Sequence, residues 1–317
     1  MTRVTTTTAP GPSVVDTIGG TPLVQLQHIV PAGSADVVVK IESVNPTGSM
    51  KDRMALAMIE TAEAAGHLRP GSEVIEATGG STGTSLALIC AVKGYRLSIV
   101  TSDAISEEKR NHMRALGAAL TVLKSEGGQL TKALFDRMID TTKTIVRERG
   151  AFWTNQFENE SQATGYYRLA DELWVQTRGR VTAFVQVVGT GGSIRGTATR
   201  LRDHRQDIRV VAVEPTTSAV LSGAEPGGHR IEGVGIGRIP HLWNPDLVDE
   251  IQTVTTEEAE AMARRLAREE AIFAGTSSGA NVVVALRVAE RLGPGATVAT
   301  LAIDSGLKYL STPLYKT

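Results

Sequence analysis

The side chain that most invites a chemical reading is Lys51, in the segment Asn45-Pro46-Thr47-Gly48-Ser49-Met50-Lys51-Asp52-Arg53. Pro46 and Gly48 mark a turn. Ser49 and Asp52 stand three apart, the spacing of a capping box, and the run Met54 to Ala65 has an amphipathic helical pattern. Lys51 then falls in the first helical turn, where the positive end of the helix dipole and the neighbouring Arg53 both favour the neutral amine. A neutral lysine amine is a nucleophile whose usual employment is a Schiff base with a carbonyl compound. Lysines after turns are also commonly solvated surface residues, so the rest of the chain must decide between the two readings.

Three glycine-rich loops offer groups that such a lysine would need. Thr78-Gly79-Gly80-Ser81-Thr82-Gly83 follows the apolar run Val74 to Glu76 and opens a helix. Its backbone N–H groups and hydroxyls suit a carboxylate, although a plain strand-to-helix turn has the same composition. Gly189-Thr190-Gly191-Gly192-Ser193 follows Ala183 to Val188 and precedes a helix, which suits a phosphate. A nicotinamide dinucleotide competes for this loop, with Glu214 as its ribose acid, but Ile194 stands where the fingerprint requires its third glycine. Gly275-Thr276-Ser277-Ser278-Gly279 reads either as a ligand loop or as an ordinary serine-capped helix start. Gly233-Val234-Gly235-Ile236-Gly237, followed by Arg238, reads as a mobile rim.

These loops need rigid elements behind them, and the pattern supplies repeated βαβ units. Strand-like runs at Val24 to Leu26, Val37 to Ile41, Val74 to Glu76, Leu97 to Thr101 and Leu120 to Leu123 alternate with helical patterns at Thr82 to Lys93, Ser106 to Leu116 and Gln129 to Arg149. A second set has strands at Phe184 to Val188, Val210 to Val213 and Val298 to Ile303, with helices at Ile194 to His204, Glu257 to Glu269 and from Ala280. Such alternation predicts an α/β fold with mainly parallel sheets, whose strand ends gather ligands in one crevice. The change of set falls near Asn155, and Thr5 to Pro12 reads as a flexible arm over residues 1–12.

Composition narrows the partners. The 317 residues, 41% of them hydrophobic, carry 33 basic and 34 acidic side chains, a net charge of −1. Nothing in that balance draws nucleic acid or an anionic membrane, so small molecules are the expected ligands. The only cysteine, Cys90, lies in an apolar run and reads as a core thiol. The six histidines lack metal-ligand spacing, so no metal is expected. With no membrane-length apolar run, no signal-peptide pattern and no disulfide, the expectation is a soluble cytoplasmic protein.

Taken in order, the motifs resemble those of the cysteine synthase (O-acetylserine sulfhydrylase) family of fold-type II pyridoxal-phosphate enzymes. The resemblance runs from Ile18 to Leu314, carried by Gly-Gly-Thr-Pro-Leu at Gly19, the Lys51 segment, the loop at Thr78 and Asn155-Gln156-Phe157-Glu158-Asn159. The loops at Gly189 and Gly275 and Asp-Ser-Gly-Leu-Lys-Tyr-Leu-Ser-Thr at Asp304 complete it. It implies two open twisted α/β domains with the cofactor in the cleft between them. The smaller, mobile one spans 46–155, and the larger one 13–45 plus 156–317. It further implies that Lys51 holds pyridoxal 5'-phosphate as a Schiff base and that Gly189, Thr190, Gly191, Gly192 and Ser193 bind its phosphate. Ser277 would face the pyridine nitrogen, with Ser81 against the cofactor, and Thr78, Gly79, Ser81, Thr82 and Gln156 would grip the substrate carboxylate.

The activity implied is β-replacement on O-acetylserine or O-phosphoserine through an α-aminoacrylate, with a small nucleophile such as sulfide giving L-cysteine. This is a transferase of cysteine and amino-acid biosynthesis, by family habit a homodimer. The alternatives are a serine/threonine ammonia-lyase or a non-catalytic relative acting as a binding partner. The chain departs from the family pattern in two places. Gly79 and Ser81 replace the serine and asparagine of the usual Thr-Ser-Gly-Asn-Thr-Gly loop, and Arg238 stands where an apolar residue is usual, which suggests selection of an anionic donor or nucleophile.

Overall fold

The computed structural model describes residues 13–128 and 131–316. The predicted arm at 1–12 lies outside them. The strands are β1 Leu23–Gln25, β2 Asp36–Ile41, β3 Glu73–Ala77, β4 Arg96–Ser102, β5 Ala119–Leu123, β6 Phe152–Trp153, β7 Ala183–Val187, β8 Arg209–Pro215, β9 Glu250–Val254 and β10 Thr297–Ala302. The helices are α1 Lys51–Ala64, α2 Ser81–Lys93, α3 Glu107–Ala115, α4 Lys132–Arg149, α5 Tyr167–Gln176, α6 Gly192–His204, α7 Thr256–Glu269 and α8 Thr276–Leu292.

Two sheets organise the chain, one ordered β1-β2-β10-β7-β8-β9 and the other β5-β4-β3-β6. Every described pairing is parallel except that of β1 with β2. The reason is legible in the residues. Strands β3, β7 and β10 are buried along their whole length, as parallel strands covered by helices on both faces must be, and they read as runs rather than alternations. The α/β architecture expected from the sequence is thus the one observed.

Three elements escaped the pattern reading. Strand β6 has only two residues and earns its place by pairing, Val74 with Phe152 and Ile75 with Trp153. Strand β9 lies at a sheet edge and is only partly buried, so no apolar run announces it. Helix α5 buries Leu169, Ala170 and Leu173 but follows a 3₁₀ segment, Glu160–Tyr166, and begins without a side-chain cap. At α4 the cap is Thr131, whose hydroxyl accepts from the Leu134 N–H, so the helix starts three residues after the expected Gln129, which itself lies outside the described residues.

Helix α8 fixes the centre. Residues 276–286 are all buried. Asn281 Oδ1 accepts from the Val187 N–H at 2.7 Å and its Nδ2 donates to the Leu301 carbonyl at 3.0 Å, tying the helix to β7 and β10 at once. A buried amide that satisfies two strands fixes the register of helix on sheet as no apolar residue can. The β7–α6 loop and the N-terminus of α8 therefore sit at the same end of the larger sheet.

Candidate functional site

Lys51 is held from both sides of its turn. The Met50 N–H donates to the Ile303 carbonyl at 2.9 Å, the Ser305 N–H to the Gly48 carbonyl at 2.9 Å, and Ser49 and Asp304 form an isolated antiparallel bridge. Gly48 has φ +74°, a value that L side chains rarely adopt, and this lets the loop reverse before the helix. Ser49 Oγ accepts from the Lys51 N–H at 3.2 Å. The expected capping box, however, does not form. The α1 N-cap is Met50, and Asp52 turns back to accept from the N–H and hydroxyl of Thr47 and from Ser85 Oγ. Asp52 thereby secures the turn and anchors it to α2.

The physical cause assigned to the Lys51 amine also needs correction. Its pKa is lowered to about 8, chiefly because burial removes its hydration, with Lys308 adding repulsion and Asp304 opposing the shift. Arg53 is not the agent. Its guanidinium points away, bonded to Glu42 through Nε at 2.7 Å and Nη2 at 2.8 Å, and to Glu172 at 2.8 Å. Glu42 is fully buried and also accepts from Thr21 Oγ1 and Asn45 Nδ2. Asn45 Oδ1 in turn accepts from the Gly19 N–H at 2.9 Å. Gly19, Asn45 and Arg53, all in motifs legible in the sequence, thus form the rigid backing of the Lys51 turn.

The Gly189–Ser193 loop forms a cradle that only glycine permits. A Cβ on Gly189 would stand 2.5 Å from the Gly233 carbonyl oxygen, and one on Gly192 2.6 Å from the Gln162 side chain. Gly191 has φ +85° and is an N-cap with no side chain to offer, so among the described residues the first N–H groups of a buried helix start are left with only a long contact, from the Gly192 N–H to Thr190 Oγ1 at 3.5 Å. Gly235 donates its N–H to the Val188 carbonyl at 3.1 Å, so the segment read as a mobile rim lies against this cradle.

Two glutamines with no motif of their own join the parts, and sequence reasoning missed both. Gln186 Nε2 donates to Ser193 Oγ at 2.9 Å and approaches Met50 Sδ at 3.7 Å, linking the cradle to the residue before Lys51. Its buried Oε1 has no partner among the described residues. Gln162 Oε1 accepts from Thr190 Oγ1 at 2.7 Å while its Nε2 donates to the Gln156 and Asn159 carbonyls.

The Thr78–Thr82 loop opens α2 at Gly80, again without a side-chain cap. Thr82 Oγ1 donates to Gln156 Oε1 at 2.7 Å, and Gln156 Nε2 to the Ala77 carbonyl at 3.3 Å, so the motif at Gln156 meets this loop. Ile105 occupies the room that a side chain on Gly79 would need. Beneath both lies Glu76, also missed. It accepts from Thr154 Oγ1 at 2.6 Å, from the Gln156 N–H at 3.0 Å and from the Ala77 N–H at 2.8 Å. Burial nonetheless pushes its carboxyl up to about 7.

Ser277 is buried at the start of α8, and its hydroxyl has no hydrogen-bond partner among the described residues. Ser81 Oγ accepts from Lys308 Nζ at 2.9 Å. Arg238 is exposed, its guanidinium 5.4 Å from the centre of the Phe157 ring, next to Gln156 in the chain. Glu214 is consumed by its own loop. It accepts from the Leu221 and Ser222 N–H groups and the Ser222 hydroxyl, which removes it as a ribose ligand.

The set fits a phosphorylated aldehyde on structural grounds alone. It has an amine readily made neutral, a glycine cradle with no N-cap side chain tied to it through one glutamine, and a free hydroxyl on the buried Ser277. The family model described as pyridoxal-phosphate dependent enzyme matches residues 14–304. A cysteine synthase of Staphylococcus aureus is 42% identical over 308 residues, 96% of this chain and 97% of that protein. The solved cysteine synthase of Entamoeba histolytica superposes with a TM-score of 0.93 at 35% identity, covering 100% of this chain and 94% of that one. A solved O-ureido-L-serine synthase gives 0.91 at 36% identity, covering 97% and 96%.

Proposed function

The chain belongs to the pyridoxal-phosphate dependent enzyme family, and from that premise we propose that it is a transferase catalysing β-replacement on an O-activated L-serine. O-acetylserine and sulfide, giving L-cysteine, are the reactants that the cysteine synthases among its relatives indicate. The observation that carries the reading is the sheltered Lys51 amine, its pKa brought down to about 8, linked through Gln186 to a glycine cradle with no N-cap side chain.

When bound, pyridoxal 5'-phosphate supplies a carbonyl that takes up amino groups and a ring that withdraws electrons from the adjoining carbon. Lys51 Nζ would hold that carbonyl and, once released, would be the base that takes the proton from the substrate α-carbon. Gly189, Gly191 and Gly192, with the hydroxyls of Thr190 and Ser193, would receive the phosphate. Ser277 would offer the ring nitrogen a neutral hydroxyl. A serine does not hold a proton there as a carboxylate would, which favours prompt departure of the β-substituent over reactions that need a long-lived carbanion. Ser81 would stand against the ring, and Thr78, Gly79, Ser81, Thr82 and Gln156 would take the substrate carboxylate. Arg238, on Phe157 at the surface, would screen the donor by charge.

We further infer a smaller domain at 46–155 that closes on a larger one made of 13–45 and 156–317, a homodimer, and a cytoplasmic location. Among the described residues no helix is long and apolar enough to cross a membrane.

Borohydride reduction of the loaded protein followed by peptide mapping is the first test, and a modified residue other than Lys51 would refute the assignment. Product analysis is the second. Cysteine should form from O-acetylserine and sulfide, whereas pyruvate as the main product in the presence of sulfide would mean elimination. For Arg238→Ala, a shift in the ratio of O-phosphoserine to O-acetylserine turnover is expected, and an unchanged ratio removes Arg238 from donor choice.

A further inference from the structure

Lys51 and Lys308 are the two lysines that are not exposed and yet make no ion pair among the described residues. Lys40, fully buried, shows the usual arrangement, with Glu172 Oε2 at 2.7 Å. Solitary sheltered charges are costly, so each demands an explanation. The proposed function explains Lys51 and leaves Lys308 unexplained.

Lys308 lies beside the Lys51 turn. Its Nζ donates to Ser81 Oγ at 2.9 Å, at the head of α2. Its Cε lies 3.6 Å from where a Cβ on Gly48 would stand, so the side chain runs between the Lys51 turn and the Thr78–Thr82 loop. Neither nearby carboxylate forms an ion pair with Lys308 among the described residues, although Asp304 keeps a buried Oδ1 with no hydrogen-bond partner. Asp52 accepts from Thr47 and Ser85, and Asp304 Oδ2 accepts from Tyr309 Oη at 2.8 Å. Lys109, the other cation near Lys308, is paired with Glu232. An ammonium has three donors, and the Ser81 hydroxyl uses one. Ser81 is also the short residue standing where the family has an asparagine, which leaves the cation room at the loop.

We propose that Lys308 is a specificity-determining residue that meets an anionic oxygen of the bound amino acid, either its α-carboxylate or a phosphate on its β-carbon. The inference rests on the β-replacement reading for the identity of the ligand, but not for the presence of an anion site. Loss of hydration lowers the Lys308 pKa against the opposing pull of Asp304 and Asp52, neither of which is close enough to pair with it.

The test uses the pyridoxal-phosphate-loaded protein, whose cofactor phosphate site is already filled, and titrates inorganic phosphate, L-serine and O-phospho-L-serine against cofactor absorbance. K308M should weaken inorganic phosphate and O-phosphoserine by about tenfold or more, the loss expected for one charge-assisted hydrogen bond, while K308R stays within about threefold of wild type. Equal weakening of L-serine assigns the α-carboxylate to Lys308, and unchanged L-serine assigns the β-phosphate. Binding of phosphate and O-phosphoserine within about twofold of wild type, in a K308M protein with normal cofactor content, overturns the proposal. If K308M does not fold, S81A decides instead. Losing the anchor hydroxyl should weaken phosphate by about threefold or more, and unchanged binding overturns the proposal. Wild type that binds phosphate through Lys308 but responds to no amino acid would sink the β-replacement reading and leave the anion site standing.

Discussion

Glu76→Gln isolates the cost of keeping one carboxyl beneath the loops. In the folded chain Glu76 is fully buried, and its pKa rises from 4.5 to about 7 because loss of hydration outweighs the hydrogen bonds it accepts from Thr154, Gln156, Ala77 and Trp153. A raised acid pKa means the folded state binds its proton more tightly than the unfolded chain does. The stabilisation is therefore complete below about pH 4.5 and is lost as pH climbs through about 7. At about 1.4 kcal/mol per pH unit, the interval amounts to about 3 kcal/mol. Glutamine is the neutral isostere of the protonated acid. Between pH 4 and pH 8.5 the stability of wild type relative to Glu76→Gln should therefore fall by about 3 kcal/mol. Urea unfolding of both proteins at both pH values measures the difference of differences, in which every other titrating group cancels. Parallel pH profiles would refute the reasoning. So would wild type gaining on the variant as pH rises, since that would mean the donated hydrogen bonds more than replace the lost hydration.

Four further outcomes follow from the geometry. In cofactor-free protein, the rate of pyridoxal-phosphate uptake should rise with a midpoint near pH 8, where the Lys51 amine loses its proton, and stopped-flow absorbance would reveal a midpoint near the ordinary lysine value if burial does not act. Gly189→Ala drives a methyl against the Gly233 carbonyl and should weaken cofactor affinity by about tenfold or more while the circular dichroism of the fold is kept. Gln162→Ala severs Thr190 from Gln156 and should raise both cofactor Kd and substrate KM, with an unfolding cost of about 1–2 kcal/mol measured by urea titration. Glu42→Gln leaves half of the Arg53 fork unpaired in a dry site and should cost about 3 kcal/mol of stability, while an unchanged melting curve would show that Glu172 alone suffices.

Much of the candidate site was legible because glycines and hydroxyls at strand ends have few other uses. The loop at Gly189 needs glycine at positions where any Cβ meets backbone or a buried glutamine, and that need shows as a motif. Asp52 was misread because capping spacing is a local rule, and a buried contact with Ser85, 33 residues away in the chain, overrode it. The lowered Lys51 pKa was anticipated in direction but not in cause. Desolvation is a property of packing, and no neighbour in sequence reports it.

Periodicity and turn chemistry act over a few residues, and so the alternation of strands and helices, the buried parallel strands, the glycine turns and the lysine at the head of α1 could all be read along the chain. It took the packed fold to bring Gln186 and Gln162 to the loops, Glu76 beneath Gln156, and Lys308 beside the Lys51 turn. Gln186, Gln162 and Glu76 carry no motif, and Lys308 lies in the motif at Asp304 without any signal there of what its amine meets. Their roles come from hydrogen bonds and burial set by chain segments from 6 to 227 residues apart, and such partners become neighbours only when the two sheets are assembled.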